Sequence, residues 1–333
     1  MIKFGIIGMG TRGQIYADTI KQSGTAEVAA ITDINEESLE VNMEKYNTNG
    51  YTKFGKMFEK EKLDAVIVAT PDFLHKDPVV IAAEKGIHVM VEKPFSTDLK
   101  EATEMVEAIK RGGVKCLVGF ENRWNSPFVA AKETVDNGDL GEIVTLNSRL
   151  NDTIYVPTKM LKWSLNSTPG WFLLSHSIDL ACWLKNVKPI RVFSVGTRKK
   201  LVSMGIDTYD SIQATVAFSD NTHATFTSSW ILPETMPLLY DFKYEIIGEN
   251  GSLYVDLHDQ MVKKATGRFE HVHTLGTQIN GKLTSAPSQM LLSFIDNIRY
   301  GTDPIAGPED GLLNTKIVNA LHKSIEEGEI QEI

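Results

Sequence analysis

Gly8, Gly10 and Gly13 lie in the run Gly8-Met9-Gly10-Thr11-Arg12-Gly13, directly after Lys3-Phe4-Gly5-Ile6-Ile7, and an acid, Asp33, closes the next apolar run, Val28-Ala29-Ala30-Ile31-Thr32. Glycines so spaced between a strand and a helix have separate mechanical tasks. The first turns the chain, the second lets backbone approach a pyrophosphate, and the third lets the helix pack closely on its strand. The helix start offers unpaired N–H groups and a partial positive charge to phosphates. A carboxylate at the end of the second strand accepts both hydroxyls of an adenosine ribose and repels a phosphate there. Gly8, Gly10 and Gly13, with Met9, Thr11 and Arg12 between them, and Asp33 are therefore the expected dinucleotide cradle. NAD is expected rather than NADP, because Ile34 and Asn35 offer nothing to hold a ribose phosphate.

Two further segments leave strands at their carboxyl ends, where open α/β sheets bind ligands: Thr70-Pro71-Asp72-Phe73-Leu74-His75 and Glu92-Lys93-Pro94. A Lys-Pro bond at such a strand end suits the cis form. Lys93 is a cation at the mouth of the cofactor site, and on residue type alone a solvated lysine is the competing reading. His176 and Asp179, three apart on a helical pattern, share a face, with Phe172 one turn earlier. By residue type His176 is either a core histidine on an apolar helix or a proton-transfer group.

The elements that must hold these groups alternate through the first 120 or so residues. Strands are expected at 27–32, 64–69, 87–91 and 115–118, and helices at 36–46, 76–85 and 98–111. Such alternation gives a doubly wound parallel sheet. Later segments are β-patterned, at 142–151, 190–198, 209–218, 222–231, 243–248 and 252–256, with turn chemistry at Asp220-Asn221 and Glu249-Asn250-Gly251. Helices at 285–300 and 309–327 close the chain, stopped by Gly301 and Gly328. The expected fold is α/β: a parallel-sheet domain at 1–121, then an α+β domain at 122–333 with a large, mostly antiparallel open sheet.

The 333 residues are 42% hydrophobic and 23% charged, with a net charge of -9 and no basic stripe, which argues against nucleic-acid and anionic-membrane partners. Cys116 and Cys182 do not make a disulfide framework. The remaining histidines have no metal-ligand spacing, so no metal is expected. The first strand begins at residue 2 or 3 and no apolar run approaches the length of a membrane span, so the protein is expected to be cytoplasmic.

Taken in order, the glycine motif, Thr70-Pro71 with His75, Glu92-Lys93-Pro94, Gly119-Phe120-Glu121-Asn122-Arg123-Trp124 and Pro308-Glu309-Asp310-Gly311 resemble the glucose-fructose oxidoreductase, inositol dehydrogenase and rhizopine catabolism (Gfo/Idh/MocA) family over nearly the whole chain. The resemblance implies a Rossmann domain and a second domain whose sheet forms homodimers or homotetramers. It implies hydride transfer between nicotinamide and a secondary alcohol of a small-molecule sugar, polyol or sugar derivative. By the same resemblance Thr70, Pro71, His75, Glu92 and Lys93 join the cofactor site, Lys93 and His176 are catalytic, and Arg123, Asn151, Asp152, Lys162, Trp163 and Phe172 join them at the substrate. Such chemistry needs a cation to polarise the hydroxyl oxygen and a base to take its proton. The family pattern Asp-x-Gly-x-His-x-x-Asp keeps His176 and Asp179 here but has Phe172 and Leu174 at its first two places. Two alternatives accompany this reading: a glycoside hydrolase that oxidises its substrate transiently with NAD, and a non-catalytic dinucleotide sensor.

Overall fold

In the computed structural model, which describes residues 1–333, the first apolar run is strand β1 (Ile2–Ile7), and the glycine turn leads into α1 (Thr11–Ser23). Then follow β2 (Ala26–Thr32), α2 (Glu36–Tyr46), β3 (Asn49–Tyr51), α3 (Phe54–Lys60), β4 (Ala65–Val68), α4 (Lys76–Glu84), β5 (His88–Glu92), α5 (Leu99–Gly112) and β6 (Cys116–Gly119). Local chemistry sets several ends. Asn35 caps α2 by accepting the Ser38 N–H, Asp98 caps α5 by accepting the Glu101 N–H, and Gly113 ends α5 in the left-handed region.

The second stretch holds α6 (Ser126–Asp136), β7 (Ile143–Thr153), α7 (Ser175–Lys185), β8 (Pro189–Thr197), the short α8 (Lys200–Ser203), β9 (Ser211–Phe218), β10 (His223–Leu232), β11 (Tyr240–Gly248) and β12 (Ser252–Asp256). Two small hairpins follow, β13 (Lys263–Ala265) with β14 (Phe269–His271) and β15 (Gln278–Ile279) with β16 (Lys282–Leu283). The chain ends with α9 (Ala286–Tyr300), α10 (Pro308–Glu327) and β17 (Gln331–Glu332).

These elements form two compact units, Met1–Trp124 with Gly276–Thr315, and Asn125–Leu275 with Lys316–Ile333. The sequence reading assigned everything after residue 121 to the second domain; the structure returns Gly276–Thr315 to the first. The reason is apolar burial. Met290, Leu291, Phe294 and Ile295 of α9 are buried with Phe4, Ile6, Tyr16 and Ile20, each large side chain contributing about 1.5–3 kcal/mol.

The first unit carries a six-stranded, all-parallel sheet in the order β3-β2-β1-β4-β5-β6. Both faces are covered, so β4 and β5 are nearly continuous apolar runs. The second unit carries a seven-stranded sheet ordered β12-β11-β7-β10-β9-β8-β17. It is antiparallel except for the β7–β10 pair, which runs parallel. Phe128 of α6 packs on Phe242 and Tyr244 of β11, and Ser148 of β7 donates to Ser177 of α7, so both helices cover one sheet face. Helix α6 falls in a stretch, 126–136, to which the sequence reading assigned no element. No helix is long and apolar enough to cross a membrane.

Candidate active site

The three motif glycines are required for different reasons. Gly8 has φ 94°, and a Cβ there would lie 2.5 Å from the Ala69 carbonyl oxygen; a Cβ on Gly13 would lie 2.0 Å from the Gly8 carbonyl oxygen. Gly10 is different. Its φ is -68° and nothing lies within 4 Å of where its Cβ would be. The protein itself does not require glycine there, whereas a molecule seated against the backbone would. Helix α1 has no side-chain cap and no acid in its first turn, leaving its N–H groups and dipole for an anion. Asp33 completes the cradle: one oxygen accepts the Met9 N–H at 2.9 Å and the other the Asn35 N–H at 2.9 Å. These features fit a dinucleotide. Met9 is buried and offers only backbone, while Thr11 is exposed.

The loops after β4 and β5 are joined by His75. Its Nδ1 lies 2.9 Å from the Pro94 carbonyl oxygen and its Nε2 3.1 Å from that of Thr70. Burial pulls its pKa below the ordinary histidine value. The ring therefore bridges the two loops, one nitrogen facing a backbone carbonyl of each. Thr70 and Pro71 are half-buried. The Lys93–Pro94 bond is cis. Phe95 and Ser96 are held by the start of α10, where a Cβ on Gly311 would lie 2.6 Å from the Phe95 ring and Thr315 donates to the Ser96 carbonyl at 3.1 Å.

Lys93 is only 8% exposed. Burial lowers its pKa; Glu121, Glu92 and Asp72 oppose that effect and Arg12 adds to it. Glu92, itself buried, accepts the Tyr16 hydroxyl and the Lys93 N–H, the latter at 3.2 Å. Gly119 of β6 makes room for this carboxylate, since a Cβ there would lie 3.1 Å from Glu92 Oε2. Arg12 donates to Glu121, so its guanidinium is engaged by carboxylates within the unit. Arg123 is also committed: it donates to the Ile305 carbonyl, lies 3.1 Å from Asp310 and stands over the Phe120 ring. Tyr16, Gly119 and Glu121 went unassigned in the sequence, although Tyr16 sits one helical turn after Arg12 and Glu121 just past a strand end.

In the second unit, a π-helical turn at Gly170–Leu174 runs into α7. Between Gly170 and Ala181 only Phe172 and His176 are not buried, so they define one accessible face. Asp179 is buried, and burial, then Cys182 and Asp179, raise the Tyr244 phenol well above its ordinary pKa. The Phe172 ring packs against Trp163 and Trp230, with centroids at 6.1 and 6.3 Å. Trp230 was not anticipated from the sequence. Asn151 and Asp152, expected together, are successive strand residues and point to opposite sheet faces. Asn151 accepts the Ser229 N–H across the β7–β10 ladder at 2.8 Å. Asp152 shares the face of Ser148, and burial and then Asp152 push the Tyr240 phenol up to about 12. Lys162 is exposed.

Residues 2–120 match the model of an oxidoreductase family with an NAD-binding Rossmann fold, and residues 128–254 match the Gfo/Idh/MocA C-terminal domain. The chain belongs to the Gfo/Idh/MocA family. It is an NAD-binding oxidoreductase. Among members of this family, it is 25% identical to the myo-inositol 2-dehydrogenase of Thermotoga maritima over 331 residues, covering 98% of this chain and 97% of that one. It is 27% identical to the 2,7-anhydro-N-acetylneuraminate hydratase of Mediterraneibacter gnavus over 278 residues, 81% of this chain and 71% of the other. The fold is shared with the crystal structure of scyllo-inositol dehydrogenase from Lactobacillus casei with bound cofactor NAD(H) and scyllo-inositol, at a TM-score of 0.83, 22% identity and coverage of 100% and 99%.

Proposed function

We propose that this Gfo/Idh/MocA protein transfers a hydride between NAD and a secondary alcohol of a sugar, polyol or sugar derivative. The observation that carries the reading is a buried lysine, Lys93, at a strand end of the unit that bears the dinucleotide cradle. The backbone from Gly8 to Gly13, the start of α1 and Asp33 hold the cofactor, and the chemistry supplied by bound NAD is acceptance of the hydride. Lys93 provides positive charge to the carbinol oxygen as its proton leaves. His176, on the accessible face of α7, is the proton acceptor. Phe172, backed by Trp163 and Trp230, gives a sugar ring an apolar wall.

The test is incubation of the purified protein with NAD and a panel of inositols, aldoses, uronates and glycosides, following NADH absorbance and released product. NADH formation is expected with at least one polyol. Lys93→Met is expected to lower turnover by roughly 10² or more while NADH binding stays within a few-fold, as when a positioned charge is lost. Unaltered turnover in that variant would overturn the assignment. Similarity to a hydratase supports a second reading, a conversion without net redox change; it is recognised by product release with no accumulation of NADH.

Assembly as a homodimer or homotetramer through the second unit's sheet is supported by the face opposite α6 and α7. There Phe193 and Tyr254 are 44% and 68% exposed. Light scattering is expected to give a multiple of the 37.0 kDa chain mass, reduced by Phe193→Glu; a monomeric parent protein would refute this arrangement.

A further inference from the structure

Arg12 stands in the first turn of α1, yet its guanidinium is committed to two carboxylates of the same unit. Nη2 donates to Glu121 Oε1, and Nε lies 3.6 Å from Glu92 Oε1. Tyr16, one helical turn further along the same face, donates its hydroxyl to that same Glu92 oxygen. The other Glu92 oxygen accepts the backbone N–H of Lys93. Glu92 and Glu121 are 6% and 9% exposed, so neither charge is dispersed by bulk water. One guanidinium thus joins the glycine turn after β1 to the ends of β5 and β6, across 109 residues of sequence.

We infer that Arg12 is a positioning residue for Lys93: lying across Glu92 and Glu121, it offsets the carboxylate charge that faces the Lys93 ammonium and holds in place the side chain that receives the Lys93 N–H. Two buried carboxylates beside one lysine favour the ammonium strongly, and a second cation shared between them divides that hold. The groups facing Lys93 are Glu121 after β6, Glu92 on β5, Arg12 on α1 and Asp72 in the turn after β4. His75, against the Pro94 carbonyl, is kept toward its neutral form by burial. Tyr16 stays a protonated donor, its phenol raised by burial and then by Glu92. Removing Arg12 therefore leaves Lys93 protonated to higher pH, and removing Glu121 does the reverse. The catalytic meaning of this coupling rests on the role proposed for Lys93; the coupling itself does not.

The test is competitive acetylation of Lys93 by trace acetic anhydride across a pH series in the dinucleotide-free full-length protein, read by mass spectrometry. The labelling midpoint is expected to rise by about one pH unit in Arg12→Gln, to fall by about as much in Glu121→Gln and to stay near the parent value in Arg12→Lys. An unmoved midpoint in Arg12→Gln, or movement of both variants in the same direction, overturns the inference. If Arg12→Gln is too unstable to purify, the Arg12→Gln/Glu121→Gln pair removes one charge of each sign. Its midpoint is expected within about half a unit of the parent's, and one displaced as far as in Glu121→Gln alone overturns the inference. Turnover of Lys93→Met is read separately. Intact turnover alongside the shifts would remove the proposed function and leave the coupling standing; lost turnover without the shifts would do the opposite.

Discussion

Single residues in the glycine turn separate what the fold needs from what a ligand needs. Gly13 is wedged against the Gly8 carbonyl, whereas Gly10 faces open space at an ordinary φ. Gly13→Ala is therefore expected to lose about 1–3 kcal/mol of stability, because backbone must move to admit the methyl. Gly10→Ala is expected to leave the thermal midpoint unchanged and to weaken NADH binding at least tenfold, as measured by calorimetry. Equal NADH affinity in parent and Gly10→Ala would mean that no phosphate lies against this turn. A second residue-scale prediction concerns Phe172, one turn before His176 and packed between two tryptophans. Phe172→Asp puts a carboxylate into an aromatic setting, which desolvates it. Its expected effect is a raised KM for the true substrate without gain in kcat. Strong new activity on common polyols, with the parent inert on every substrate tried, would favour the sensor reading instead.

Among elements, α10 is the one that braces the loop carrying Lys93. Its first turns press Gly311 onto the ring of Phe95, a side chain with no exposed surface, two residues beyond the lysine. Gly311→Ala would place a methyl 2.6 Å from that ring, and overpacking of this kind costs about 1–3 kcal/mol. The expected result is a lower urea midpoint together with reduced turnover. A loss of stability with full turnover would show that the lysine loop is held by His75 and the sheet without α10. The extents of β5, α5 and α9 were legible in the sequence, since apolar period and caps are local signals. The parallel β7–β10 pair was not legible, because strand direction depends on the route the chain takes between strands, and no local residue pattern encodes it.

For the whole molecule, the pH dependence of stability has a defined sign. His322, in the second unit, stacks on Trp171 with ring centroids 5.2 Å apart; its Nδ1–H donates to the Val318 carbonyl, and Thr168 donates to Nε2 at 2.7 Å. Burial lowers its pKa to about 4, against 6.5 in the unfolded chain. Above pH 6.5 both states are neutral there and the residue has no linkage effect. As pH falls through the interval from 6.5 to about 4, the unfolded chain takes up the proton first, and stability declines by no more than about 3 kcal/mol. His322→Gln is expected to flatten this part of the stability curve in denaturant titrations at several pH values. A parallel slope in parent and variant would assign the acid sensitivity to other groups.

Sequence alone determined the doubly wound unit, the strand–glycine turn–helix at Gly8, Gly10 and Gly13 with Asp33 at the end of the next strand, and the placing of Lys93 at a strand end. Each is written in neighbouring residues, through apolar period, turn glycines and caps. Only the tertiary structure decided that Gly276–Thr315 returns to the first unit, that Arg12 lies across Glu92 and Glu121, that Arg123 pairs with Asp310, and that Phe172 packs against Trp230. The physical reason is range. Each of these pairings closes a long loop of chain, and its energy comes from charge or apolar surface contributed by residues far apart in sequence, so no local pattern announces it.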